Sequence, residues 1–266
     1  MPLARADLES LLRTRQLDRT LTTALPPPAV TRDDYVIAPT GITALDARLG
    51  GGFPRGQLSE VAGPRSSGRT SVLLQAIAAA TARGELVALV DALDMFDVES
   101  AAAAGIDLDR LLWIRGHVVT NPGLCGDINQ RALEQAIRAF TLVLQAGNFG
   151  LVVLDVAEAP TPAIRRLPFT TWMRVQRMVE GSQTACLLVG SEPMARSSAG
   201  LTLRLANRGL GIADSGLGGL ESGGSGIRFG ESLFDGLSVD ARIVRARARE
   251  REESTVTLNT RAADCA

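Results

Sequence analysis

Gly63-Pro64-Arg65-Ser66-Ser67-Gly68-Arg69-Thr70 is the stretch that decides the fold. Two glycines bracket four residues and lead into a cation and a hydroxyl, with arginine where a phosphate-binding loop ordinarily carries lysine. Residues 57–62 before it read as a short apolar strand, and residues 70–83 after it read as a helix. In that strand–turn–helix context, successive backbone N–H groups and the helix dipole cradle a polyphosphate. The candidate nest comprises Gly63, Pro64, Arg65, Ser66, Ser67, Gly68, Arg69, Thr70 and Ser71. Thr70 is positioned to place its hydroxyl on Mg²⁺.

Working outward, the same alternation of strand and helix continues. Residues 86–90 form an apolar run ending at Asp91, and residues 151–154 form another ending at Asp155. Residues 185–189 form a third, ending at Gly190-Ser191. Residues 130–145 and 171–180 carry helical spacing between them. Short uncharged strands separated by helices predict an α/β fold, a mostly parallel sheet covered by helices on both faces. Ligands in such sheets bind at the carboxyl ends of the strands, which here carry Gly63, Asp91, Asp155 and Ser191. Asp155 fits the carboxylate that supports a magnesium ion beside the loop.

Residues 201–205 and 241–249 read as further strands, the C-terminal ones antiparallel. Between them, nine of the 22 residues 209–230 are glycine, which predicts a mobile loop. Arg245, Arg247, Arg249 and Arg251 alternate with other residues and so share one strand face, either a solvated edge or a phosphate-contacting stripe. At the other end, residues 3–23 read as an amphipathic helix followed by the breaker Pro26-Pro27-Pro28. That helix either packs on its own domain or docks on a neighbouring subunit or partner. The expected organisation is a helix and linker over 1–34, a core over 35–208, the glycine-rich loop over 209–230, and strands with a tail over 231–266.

Composition narrows the chemistry. The 266 residues are 45% hydrophobic and 21% charged, with a net charge of −1, so any nucleic-acid surface is a local patch. All 28 basic residues are arginine, which excludes Schiff-base and general-base lysine chemistry. One histidine, His117, leaves little room for a serine–histidine relay, and a loop position suits it better than catalysis. Cys125, Cys186 and Cys265 are odd in number and far apart, which argues against a disulfide framework or zinc site and for a reducing cytoplasm. No run approaches the ~18 apolar residues of a membrane span, and the start lacks a signal-peptide core. Trp113 and Trp172 read as core or interface residues.

Several stretches around the loop resemble one family. Thr40-Gly41-Ile42-Thr43-Ala44-Leu45-Asp46, Gly51-Gly52-Phe53-Pro54-Arg55-Gly56 and the loop itself resemble the RecA recombinases. So do Leu89-Val90-Asp91-Ala92 with Asp97, and Gly105-Ile106-Asp107-Leu108-Asp109 with Leu111-Leu112. The resemblance covers residues 35–205 and, more loosely, 239–258. It lacks the separate C-terminal domain of bacterial RecA, and the stretch after Asp155 for a first DNA-binding loop is short. That reduced layout resembles the ImuA-type accessory proteins that act beside a translesion polymerase in damage-induced (SOS) mutagenesis.

The resemblance implies a RecA-like core, ATP and Mg²⁺ as cofactors, and a setting in DNA repair and recombination. It places Asp97 at the adenine side, with Ser100 where an aromatic would stack on the base. It also exposes three departures at the catalytic centre. Arg69 replaces the loop lysine, Leu93 stands at the water-activating carboxylate, and Ser191 stands at the glutamine that senses the γ-phosphate. Arginine is no simple substitute for an ammonium in a tight nest, and leucine accepts no proton. Together these imply weak or lost hydrolysis. The competing reading is an active DNA-dependent ATPase in which Arg69 and Asp94 have taken over the missing roles. Expected partners are RecA, a translesion polymerase or single-stranded DNA, with self-association through residues 3–23. The candidate DNA contacts are Arg165 and Arg166 in a Pro-rich loop, and Arg196 in the serine-rich segment 191–200.

Overall fold

A run such as Leu151-Val152-Val153-Leu154 has no polar face, so a strand built from it needs cover on both sides. The structure, a computed structural model, describes residues 37–116, 126–211, 236–246 and 255–259. All of them fall in one unit, Tyr35–Ala266. The N-terminal helix expected over residues 3–23, His117, Cys125, Cys265 and Arg247–Arg251 lie outside the described residues.

In chain order the elements are β1 (Ile37–Ala38), α1 (Thr43–Leu49), β2 (Phe53–Pro54), β3 (Leu58–Ala62), α2 (Arg69–Ala82), β4 (Val87–Asp91), α3 (Val98–Ala103) and β5 (Leu111–Arg115). There follow α4 (Gly126–Ala146), β6 (Leu151–Asp155), α5 (Thr161–Arg165), α6 (Phe169–Val179), β7 (Ala185–Gly190), β8 (Leu201–Gly211), β9 (Gly236–Ala246) and β10 (Thr255–Asn259). β1 and β2 form a small antiparallel pair. The other eight strands make one sheet in the order β10-β9-β8-β3-β7-β6-β4-β5. From β8 to β5 every neighbour is parallel, while β9 and β10 add on antiparallel. The expected α/β class, with antiparallel C-terminal strands, is what the chain forms.

Side chains alternate across the sheet, and two separate cores result. Val87 and Leu89 face the layer containing Val72, Leu73 and Ile77 of α2. Ala88 and Val90 face the layer containing Leu133 and Phe140 of α4 and Trp172 of α6. Trp172 is therefore a core residue, one of the two readings open to it from the sequence. Trp113 is only partly buried on β5, against the Phe96 ring with centroids 5.3 Å apart.

Chain order and sheet order differ in a way that makes the site. From β3 the chain passes through α2 to β4, leaping the two positions that β6 and β7 later fill. The carboxyl ends of β3, β4, β6 and β7 consequently meet along one edge, where a doubly wound sheet opens a crevice.

At the far end of the sequence, one expectation shifts. β8 continues to Gly211, three residues into the glycine-rich stretch, because Gly209, Leu210 and Gly211 pair with Ser238, Leu237 and Gly236. Ladder hydrogen bonds need no side chain, so glycine content alone did not mark the strand's end.

Arg55 ties down the opposite, amino-terminal edge of the sheet. Its guanidinium donates to Ile37 O (3.2 Å), Gly150 O (3.0 Å) and Gln183 O (2.8 Å), and pairs with Glu85 at 2.6 Å. With only 11% of its side chain exposed, these partners replace most of its water. Removing one partner of such a pair leaves the other charge and several carbonyls unmatched. Arg55→Ala is accordingly expected to lower stability by about 3 kcal/mol, read as an earlier urea midpoint with an unchanged slope.

Candidate functional site

The glycine loop leaves β3 with Gly63 N donating to Gly190 O at 3.1 Å, and Ser67 N closing a turn onto Pro64 O at 3.2 Å. Gly68 sits at φ +82, left-handed backbone that side chains other than glycine adopt at a cost. A Cβ there would also fall 2.7 Å from Val239 Cγ2 on β9, so glycine is required twice over. α2 starts at Arg69 with no side chain capping its first turn. Its leading N–H groups are left for something outside the helix. Among the described residues Ser67 Oγ is buried without a hydrogen-bond partner, and Thr70 is exposed beside it.

Next to this turn lies a cavity of about 360 Å³, lined by Thr70, Ser71, Asp91, Leu93, Asp97 and Asp155 among others. β4 and β6 pair in register, with Asp91 beside Asp155. Asp155 Oδ1 accepts from Ala157 N at 2.8 Å, and Asp91 Oδ2 accepts from Phe96 N at 2.8 Å and from Trp113 Nε1 at 3.4 Å. Burial raises the Asp155 carboxyl to about 6, against the Ala157 hydrogen bond and with help from the negative Asp91. The uncapped helix start, the orphaned Ser67 hydroxyl and an all-oxygen set from Thr70 and Asp155 fit a polyphosphate carrying a hard divalent cation.

The loop arginine does not fit that pattern. Arg69 Nη1 donates to Gly63 O at 2.5 Å and Arg69 Nη2 pairs with Glu158 Oε1 at 2.6 Å. Its side chain is only 5% exposed. Arg65, exposed on the rim of the loop, donates from Nε to Glu158 Oε2 at 2.8 Å and also from Nη2. Sequence reading passed over Glu158. The signal that could have found it is one acid three residues past Asp155, with two arginines and no lysine in the loop to neutralise.

The other departures have plain geometry. Leu93 is 5% exposed and packs in the core beneath the cavity. Asp94, next in sequence, takes φ +58 and forms a bidentate pair with Arg115, both contacts at 2.7 Å. Those hydrogen bonds hold its carboxyl below the usual aspartate range, and they direct it to the end of β5. Asp97 caps α3, accepting from Glu99 N (3.3 Å), Ser100 N (3.1 Å) and the Ser100 hydroxyl. Ser191 lines a different cavity from the loop's own, and its Oγ is buried without a partner.

Comparison with known proteins agrees with the fold. The family described as the RecA N-terminal domain matches residues 29–165, half of the chain. The chain belongs to the RecA family. It is 39% identical over 132 residues to Protein RecA of Clavibacter michiganensis, 40% over 132 residues to that of Mycobacterium marinum, and 41% over 130 residues to that of Salinispora tropica. These alignments cover 49%, 49% and 48% of the chain, and 33%, 34% and 33% of those relatives. The chain therefore spans about a third of the length of the curated RecA proteins it matches.

Within this RecA-type core, two of the three arginines proposed for DNA contact line a second cavity, of about 380 Å³, at the end of β7. Arg165 and Arg196 line it with Phe169, Trp172 and Ser191, while Arg166 is exposed alongside in sequence. Arg165 closes the short helix α5 rather than standing in a loop, because Pro162 suits a helix's first turn. It pairs with Glu192 at 3.0 Å. Arg196 takes φ +48 in a 3₁₀ turn, with its guanidinium 6.0 Å from the Phe169 ring centre. Its carbonyl accepts from Arg245 Nη1 at 2.9 Å. Among the described residues no helix is long and apolar enough to cross a membrane.

The raised Asp155 carboxyl has a measurable consequence. Between about pH 4 and 6 the folded protein keeps a proton that the unfolded chain has lost, so stability falls as pH rises through that window. In metal-free buffer, Asp155→Asn should flatten that part of the profile and add up to about 3 kcal/mol at pH 7. Urea unfolding from pH 4 to 7.5 compares the two directly.

Proposed function

We propose that this chain is a RecA-like accessory protein of DNA repair and the SOS response. It binds Mg-ATP at its phosphate loop without efficient turnover, and it works by binding RecA, DNA or a translesion polymerase. The observation that carries the reading is the direction of Arg69. Its guanidinium is turned onto Gly63 O and Glu158, so the loop's cation must give up one of the protein's own oxygens before it can serve a phosphate. The Leu93 side chain, at the position of the water-activating carboxylate, offers no proton acceptor.

What remains suits holding a nucleotide. The N–H groups at the start of α2 receive the phosphates, Thr70 and Asp155 hold the magnesium ion, and Asp97 with Ser100 lies toward the base. ATP when bound supplies a charged switch, and its presence or absence can alter the surfaces offered to partners. The competing reading is an active DNA-dependent ATPase. It is favoured by Thr70 and Asp155 both lining the cavity, but the Asp94 carboxylate it needs is held by Arg115.

Calorimetric titration of Mg-ATP into the full chain separates the two readings when paired with phosphate release in the presence of single-stranded DNA. Saturable binding that is lost in Asp155→Ala, with phosphate release at background, is the expected result. DNA-stimulated release that Asp155→Ala abolishes would establish the active ATPase instead, and no binding at millimolar ATP would remove the nucleotide from the account.

We assign contact with single-stranded DNA to Arg165 and Arg196, which line one cavity at the end of β7, and to Arg166, exposed next to Arg165 in the chain. Replacing all three by alanine should weaken binding of a fluorescent oligonucleotide and lower the slope of log K against log salt by about 2. An unchanged slope would move the DNA contacts elsewhere.

A further inference from the structure

Both arginines of the phosphate loop are held by one carboxylate that comes from outside the loop. Glu158 lies three residues beyond Asp155, on a turn closed by Ala157 N onto Asp155 Oδ1 (2.8 Å) and Ala159 N onto Val156 O (2.9 Å). Its Oε1 takes the Arg69 Nη2 hydrogen bond at 2.6 Å, and its Oε2 takes two from Arg65. Two planar guanidiniums converging on two oxygens is how arginines grip a phosphate group. Here the oxygens belong to the protein.

We propose that Glu158 is a tethered anion that masks the phosphate loop, so that a polyphosphate must displace it to reach the two guanidiniums. The ligand class is the triphosphate of a Mg-nucleotide, and the proposal rests on the nucleotide-binding reading above. The two arms of the clamp differ in character. Arg65 is 80% exposed, so its pairing with Glu158 is screened by water and readily exchanged. Arg69 and Glu158 are 5% and 19% exposed, so neither gives up the other unless a new anion takes over. A phosphate oxygen delivered at the start of α2 is such an anion. Entry therefore proceeds by Arg65 swinging off first, then by exchange of the Glu158 carboxylate for phosphate at Arg69. The covalent structure does not change; one ion pair replaces another.

The mask accounts for a feature that loop chemistry alone leaves unexplained. An arginine too long for the nest would ordinarily leave it and point into solvent, yet Arg69 is folded back and buried. The Gly63 carbonyl and Glu158 give it two acceptors at hydrogen-bond distance, which a lysine ammonium could not span with the same planar fork.

The test titrates Mg-ATP and, separately, sodium tripolyphosphate into the full-length wild type, Glu158→Gln and Glu158→Ala. Glu180→Gln, at an exposed helix end away from the loop, controls for loss of one negative charge. Removing the mask should tighten both ligands by about tenfold relative to wild type and Glu180→Gln, the scale of one charge-assisted hydrogen bond. If wild type binds Mg-ATP and the Glu158 variants match it within twofold, the mask falls and the nucleotide reading stands. If the Glu158 variants gain tripolyphosphate but nothing binds Mg-ATP, the mask stands and the nucleotide reading falls. If no protein binds either ligand, both fall.

Should the variants fail to fold, the wild type alone decides through nitrogen-15 spectra of the arginine Nε–H groups. The Arg65 and Arg69 signals, assigned with Arg65→Lys and Arg69→Lys, are expected to shift together as tripolyphosphate is added to the wild type. Signals unmoved at saturating or millimolar ligand overturn the mask.

Discussion

The placement of the phosphate loop depends on β3 being hydrogen-bonded on both flanks and buried on both faces. β7 pairs with it on one side and β8 on the other, and all five of its side chains are buried. In that position it carries an ionisable residue, Glu60, whose carboxyl is raised by burial. The carboxylate is matched by the N–H groups of Met194 and Ala195 and by the Thr202 hydroxyl at 3.4 Å. A buried polar group of this kind is tolerable only when its hydrogen bonds are filled. The result is that the segment after β7 is fastened to the same strand that ends in the glycine loop. The two cavities at the carboxyl edge are thus built on a shared support.

That shared edge explains why the loop keeps its backbone shape whatever side chains surround it. The backbone requirements of the loop are steric: left-handed Gly68 against Val239, and the start of α2 with no side-chain cap. They are met whatever the next side chain does. The side chains around the loop are directed by other contacts. Arg69 faces inward to Glu158, Leu93 joins the core, and Asp94 turns by a left-handed residue onto Arg115. Each of these residues makes a contact that stabilises the local structure, so the altered centre is a packed arrangement and not a set of loose ends.

The absence of lysine gives this redirection its character. A guanidinium is planar, permanently charged and able to serve two acceptors at once. In the loop it bridges Gly63 and Glu158, at the sheet's other edge Arg55 bridges three carbonyls and Glu85, and at the end of β5 Arg115 grips Asp94 while stacking 4.6 Å from Trp113. Arginine here connects elements that are distant in sequence, and it makes ion pairs part of the architecture of the site.

The sequence by itself determined the fold class, the four strands β3, β4, β6 and β7 with the helices between them, and the glycine-bracketed turn after β3, but not the edge strand β5. These rest on local signals: apolar runs too uniform for a one-faced sheet, helical spacing, and glycines at a fixed interval. It also singled out Arg69, Leu93 and Ser191, because each is read from its place beside a local motif. Less was legible where pairing partners lie far apart. The extension of β8 to Gly211 comes from a ladder with β9. Tertiary structure alone decided what Arg69 touches. Glu158 is 89 residues away in the chain and meets the loop only because β6 and β3 end at the same edge of the sheet. An ion pair's partner is chosen by distance in space, and no local pattern of residues encodes that distance.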